Sequence, residues 1–203
     1  MSDFRVALTF DAEHPDRSQC PPGTQEGILD ALDEAEVRAT FFLQGRWVTA
    51  YPATAMRVAE RGHLIGSHSD YHARLPLFSD DGLRADVTGA ERSIVDVVGV
   101  DPRPWFRCPF GEGHDDPRVL SLLEDLGYRN VHWDVDGADW EDDRTPGVVE
   151  SAIVDATIRR GGDVVVLLHT WPEPTLAALP AIVKRLRDAE ATLVTVDEVM
   201  RDR

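Results

Sequence analysis

Five short stretches carry the residues whose types and spacing could do chemistry. His68-Ser69-Asp70-Tyr71-His72 sets two imidazoles at i and i+4. On a helical turn such a pair shares one face and can grip one metal ion. A divalent ion held by two histidines usually takes a carboxylate as third ligand and leaves a position for water. Acid and imidazole also cluster at Asp11, Glu13 and His14, and further groups stand at Arg107, at Asp136 and Asp139, and at His169. Each alone has an ordinary reading. Asp11 fits a turn cap, His169 a satisfied core histidine closing an apolar run, and Arg107 a structural ion-pair partner. Trp140 and Trp171 fit packing. The joint order of these groups is what points to a site.

The elements that must position them alternate. Seven β-type runs can be marked: 4–10, 39–43, 63–66, 104–107, 129–133, 164–168 and 192–196. Between them lie segments of helical periodicity. The clearest is Leu83, Val87, Ala90, Ile94 and Val97, opened by Ser79-Asp80-Asp81 as a cap. Val119, Leu122, Leu123 and Leu126, closed by Gly127, make a second. Leu179, Ile182, Val183 and Leu186 make a third, with Pro180 expected near the first turn. Ile28, Leu29, Leu32 and Ala35 make the first helix, and shorter ones cover 53–61 and 148–159. Strict alternation means parallel strands with crossover helices, an α/β single domain over 1–203. An open Rossmann-type sheet and a closed barrel both fit. The first loses ground because Asp11-Ala12-Glu13-His14, not a glycine-rich phosphate cradle, follows the first strand. In parallel barrels catalytic groups gather beyond the C-terminal strand ends, where the groups above all fall.

Composition narrows the partners. The 203 residues hold 21 Lys+Arg against 37 Asp+Glu, a net charge of −16. That excludes nucleic acid as main partner and argues against docking on anionic lipid. Lys184 is the only lysine, so no mechanism can call on a second. Cys20 and Cys108 are expected as free thiols. The longest aliphatic run, Val164 to Leu168, is five residues, too short for membrane insertion. The first residues show no basic and apolar leader, which gives a cytoplasmic expectation.

In these motifs the sequence resembles the polysaccharide deacetylase family, carbohydrate esterase family 4, also called the NodB homology domain. Its first motif, Thr-Phe-Asp-Asp, is similar to Thr9-Phe10-Asp11-Ala12. Its second, His-Ser/Thr-x-x-His, is His68-Ser69-Asp70-Tyr71-His72. Its third, Arg-x-Pro-Tyr/Phe-Gly, is Arg107-Cys108-Pro109-Phe110-Gly111. The fourth is Asp136-Gly137-Ala138-Asp139-Trp140 and the fifth Leu167-Leu168-His169. Lesser similarity lies in 39–42, 62–66 and 178–180.

The resemblance implies a distorted (β/α)7 TIM-like barrel and a metal-dependent hydrolase that removes N-acetyl, more rarely O-acetyl, groups. The implied substrate is an amino sugar or a polysaccharide such as peptidoglycan or chitin oligomers. By position, His68 and His72 hold a divalent metal, zinc first among them, and Asp11 is the general base that Arg107 orients. The backbone N–H near Phe110 helps polarise the acetyl oxygen. His169 protonates the departing amine, tuned by Asp139, and Trp140 lines the groove.

The family's second aspartate, the third metal ligand, is Ala12 here. A methyl group coordinates nothing. Glu13 is the preferred substitute and His14 the runner-up, because two histidines and one carboxylate suffice for a catalytic zinc. The departure keeps two alternatives open. One is a hydrolase of small non-carbohydrate amides or cyclic imides. The other is an inactive carbohydrate-binding relic.

Overall fold

The computed structural model describes residues 4–15 and 20–202. Eight strand segments are found among them: β1 (Arg5–Ala12), β2 (Thr40–Leu43), β3 (Leu64–Ser67), β4 (Trp105–Phe106), β5 (Arg129–Asn130), β6 (Val135–Asp136), β7 (Asp163–His169) and β8 (Thr192–Val194). The helices are α1 (Thr24–Glu34), α2 (Gly45–Ala50), α3 (Pro52–Glu60), α4 (Asp80–Val98), α5 (Pro117–Asp125), α6 (Pro146–Arg160), α7 (Glu173–Asp188) and α8 (Val196–Val199). All strand pairs are parallel, in the order β5-β4-β3-β2-β1-β7-β6, with β8 also on β1.

β1 is the organising strand. It runs beside β7 from Arg5 to Asp11, while Arg5–Ala7 pair with β8 and Thr9–Ala12 with β2. The fifth run expected over 129–133 divides in two. Val131 N–H donates to the Phe106 carbonyl beside β4, whereas Asp134 N–H donates to the Val165 carbonyl in β7. One short stretch of chain thus changes neighbours between the two ends of the sheet, and a single expected strand becomes β5 and β6. The result is a curled, incompletely closed (β/α)7 barrel.

Alternation along β1 sorts its side chains onto two faces. Val6, Leu8, Phe10 and Ala12 belong to the main apolar core, with Leu29 of α1 and Leu179, Ile182 and Leu186 of α7. Thr9 and Asp11 face the other way, toward the barrel interior, where Arg107 meets them both. Ser79 caps α4 by accepting from Gly82 N–H at 3.2 Å. Gly127 follows α5 with φ +83°, a conformation glycine adopts without steric cost.

Pro180 departs from expectation. α7 begins at Glu173, so the proline sits inside the helix rather than in its first turn. An interior proline costs about 3 kcal/mol. Burial of Thr175, Ala178, Leu179, Ile182, Val183 and Leu186 along one face offsets that cost. α2 and α8 are short helices without a readable period. Cys20 and Cys108 are both free. Among the described residues, no helix is long and apolar enough to cross a membrane.

Candidate active site

The C-terminal strand ends converge on a cleft of about 300 Å³. Asp11 and His169 are register partners across β1 and β7, so the sheet itself places a carboxylate beside an imidazole. Glu13, the first residue after β1, keeps the strand's alternation and points to the same side as Asp11. Ala12 faces the helices, fully buried among apolar side chains.

Glu13 lies among imidazoles. Its Oε2 is 3.2 Å from His68 Nε2 and in direct contact with His72 Nε2. Its Oε1 is 3.1 Å from His14 Nε2 and 3.8 Å from His169 Nε2. Burial alone would raise the Glu13 carboxyl, but the neighbouring His14, His68 and His72 hold it well below the usual carboxylate range. His68 Nδ1 lies 2.9 Å from the Arg107 carbonyl. A carbonyl can only accept, so Nδ1 carries a proton and Nε2 is the nitrogen turned toward Glu13. One carboxylate oxygen and two imidazole nitrogens, all buried, come within 4.8 Å of one another. Two histidines and one carboxylate are a donor set suited to a divalent ion such as zinc. His14 is not part of this group of three.

The histidine pair does not sit on a helical turn, as its spacing suggested. His68 to His72 form an irregular loop with Ser69 at φ +62° and His72 at φ +54°. Both are conformations that cost a non-glycine residue roughly 1–3 kcal/mol. Asp86 of α4 offsets the cost. Its buried carboxylate accepts from Tyr71 N–H at 3.0 Å and Asp70 N–H at 3.3 Å. Ser69 Oγ accepts from His72 N–H at 3.0 Å.

Two ion pairs flank the group. Arg107, fully buried, donates through Nη1 to Asp11 Oδ1 and Thr9 Oγ1, both at 2.8 Å, and through Nε to the Val131 carbonyl. Its guanidinium also lies over the Phe42 ring, 4.1 Å from the centroid. On the other side, His169 Nδ1 is 2.7 Å from Asp139 Oδ1. Asp139 also accepts from His169 N–H at 2.9 Å and from Thr175 Oγ1 at 2.5 Å. Burial opposes charge on His169, but Asp139 outweighs it and the pKa is pushed up to about 9. Phe110, at φ +59°, lies against the His72 ring, tilted by 58° with centroids 4.4 Å apart. Trp140, 47% exposed, lines the cleft with Trp133 and Trp171.

The nine residues given site roles, Asp11, Glu13, His68, His72, Arg107, Phe110, Asp139, Trp140 and His169, gather at or immediately behind this cleft, and His14, Asp136 and Trp171 line it as well. Thr175, Asp86 and Gln44 were not anticipated, because a lone threonine, a helix-face aspartate and a loop glutamine carry no spacing signal.

A curled parallel α/β sheet with imidazoles and carboxylates converging at one end defines a class, and sequence comparison gives it a family. The polysaccharide deacetylase model matches residues 1–131, so the chain belongs to the polysaccharide deacetylase family. It is 30% identical over 195 residues to the peptidoglycan-N-acetylglucosamine deacetylase PgdA of Listeria monocytogenes, covering 96% of this chain. The chain spans only 38% of that relative's length. The family 4 carbohydrate esterase of Streptomyces lividans, solved in complex with acetate, superposes with a TM-score of 0.81 at 27% identity, over 95% of this chain and 93% of that one. A family pseudoenzyme from Bacillus anthracis superposes at 0.84 and 25% identity, over 97% of this chain and 65% of that one.

Proposed function

We propose that the protein is a metal-dependent deacetylase acting on an N-acetylated amino sugar, alone or within a polysaccharide such as peptidoglycan. The observation that carries this is the three-part grouping in one cleft: the Glu13–His68–His72 donors, the Asp11–Arg107 pair and the His169–Asp139 pair. Glu13, His68 and His72 would hold the ion, with zinc the best match to the donor set. Such an ion, when bound, supplies an acidified water and a polarised acyl oxygen.

The chain's own residues then divide the work. Asp11, oriented by Arg107, accepts the proton of the attacking water at Oδ2. The water oxygen bonds to the acetyl carbon, and the Phe110 backbone N–H is assigned to the acetyl oxygen. The C–N bond breaks as His169 delivers a proton from Nε2 to the departing nitrogen, while Asp139 holds Nδ1. Acetate and a free amine leave. Trp140 offers a flat apolar face on which a sugar ring can lie.

The test is deacetylation of N-acetylglucosamine oligomers, with metal content measured beside it. Activity that falls on chelation and returns with Zn²⁺ supports the reading. A second reading, a relic without turnover, draws on Ala12 and on the pseudoenzyme relative. Full zinc loading without acetate release from sugars or small amides would favour it.

A further inference from the structure

We infer that Gln44 is a positioning residue for the replaced ligand, and that the turn between β2 and α2 sets the geometry of both ligand-bearing loops. The inference rests on the reading of Glu13 as third ligand. Gln44 is 2% exposed and has no place in any of the motifs. Its backbone N–H donates to the Ala12 carbonyl at 3.0 Å, and its side-chain Oε1 accepts from His14 N–H at 2.9 Å. One residue therefore pins the chain immediately before and immediately after Glu13. Those bonds fix the residue's start and finish, so the carboxylate meets the histidines from a set direction.

The same turn grips the second loop. Leu43 accepts from His68 N–H at 2.9 Å, and Gly45 N–H donates to the Ser69 carbonyl at 3.0 Å. This approach is possible because position 45 is glycine. A Cβ there would stand 2.1 Å from Asp70 Oδ1 and 2.9 Å from the Ala90 backbone. Three consecutive residues, Leu43, Gln44 and Gly45, thus tie the Glu13 loop to the His68–His72 loop. His14 has a matching part. Held at φ +53°, it brings its Nε2 to Glu13 Oε1, the oxygen not shared with the histidine pair. Outer hydrogen bonds that orient a ligand are typically worth 10–100-fold in metal affinity, and Gln44 acts on Glu13 through the backbone at either side of it.

The experiment measures the affinity of the purified full chain for Zn²⁺ by chelator competition, and the visible spectrum of its Co²⁺ form. The variants are Gln44→Met, Gln44→Asn, Gln44→Glu and Glu13→Gln, each with the melting temperature of the metal-free protein. Gln44→Met keeps the volume and loses the acceptor. Gln44→Asn keeps an amide one methylene short. Both should weaken Zn²⁺ binding about 10–100-fold and alter the Co²⁺ spectrum, whereas Gln44→Glu, which still accepts from His14 N–H but buries a charge, should lose less than Gln44→Met. Should Gln44→Met fail to fold, Gln44→Asn decides. A lower melting temperature with unchanged Zn²⁺ affinity and spectrum would make Gln44 merely structural and overturn the inference. Full affinity in Glu13→Gln would instead overturn the ligand reading beneath it.

Discussion

Asp11→Asn should cost the protein stability as well as turnover, and the size of the first effect follows from Arg107. That guanidinium is fully buried, and Asp11 is the carboxylate bonded to it at 2.8 Å. Its other bonds go to a hydroxyl and a carbonyl, which are dipoles and not counter-charges. Burial pulls the Arg107 pKa down, with Asp11 and, to a lesser degree, Asp136 opposing it. Removing one partner of a buried pair leaves the other charge uncompensated, at about 3–5 kcal/mol. In a domain of this size that lowers the melting temperature by about 6–20 °C. Arg107→Met takes away the cation bonded to Asp11, leaving it His68 Nε2 at 3.5 Å, and should cost somewhat less. The double variant removes both charges, so it should lose less than the sum, with a coupling of about 1–3 kcal/mol. Urea denaturation of the four proteins measures it. Losses that add to within about 0.5 kcal/mol would refute the pairing as the source of stability. Asp11→Asn should also keep its metal while turnover falls about 10²–10⁴-fold, because the amide cannot take the water's proton. Loss of metal with activity would mark Asp11 as a ligand.

His169→Ala should slow release of an N-acetyl amino sugar far more than hydrolysis of nitrophenyl acetate, since an amine needs a proton to depart and nitrophenolate does not. Equal losses on both, with a large fall in melting temperature, would reduce His169 to a core residue. His63, buried and remote from the cleft, accepts from Ala39 N–H at 3.2 Å through Nδ1. Burial, with Arg61 adding and Asp33 opposing, lowers its pKa from 6.5 to about 4. Its neutral form therefore contributes about 3 kcal/mol above pH 6.5, lost as pH falls toward 4. His63→Gln should flatten the fall in melting temperature between pH 7 and pH 4, and an unchanged slope would count against the assignment. Asp86→Ala should loosen the His68–His72 loop and weaken Zn²⁺ binding, measured by chelator competition, by about 10–100-fold. Unaltered affinity would show that the loop holds itself.

Much of the barrel was legible because its signals are periodic. The alternation of apolar runs with 3.6-residue faces dictates parallel strands and crossover helices, and β1, β7, α4 and α6 follow within a few residues. What escaped has no local period. The split of the fifth run depends on which neighbour each N–H finds, Phe106 for Val131 and Val165 for Asp134, and a single stretch of sequence does not name its hydrogen-bond partners. Pro180 reads as a helix start on propensity alone. A buried face spanning both sides of it overrode that preference.

The site divides along the same line. Residue types and order pointed to the Asp11, His68, His72, Arg107, Asp139 and His169 positions, yet their support was hidden. An i, i+4 histidine pair suggests a helix, but Asp86 and Ser69 hold these two in a loop that no periodicity describes. The alternation of β1 is the instructive case. Counted from Phe10 in the core, it puts position 12 toward the helices and position 13 toward the cleft. Glu13 stands on the face where Thr9 and Asp11 already point. β1 runs on to Ala12 in register with Leu43 and turns afterwards, where Gln44 receives it. Ala12 and Glu13 are then two halves of one arrangement: the methyl completes the core, and the next residue carries the charge.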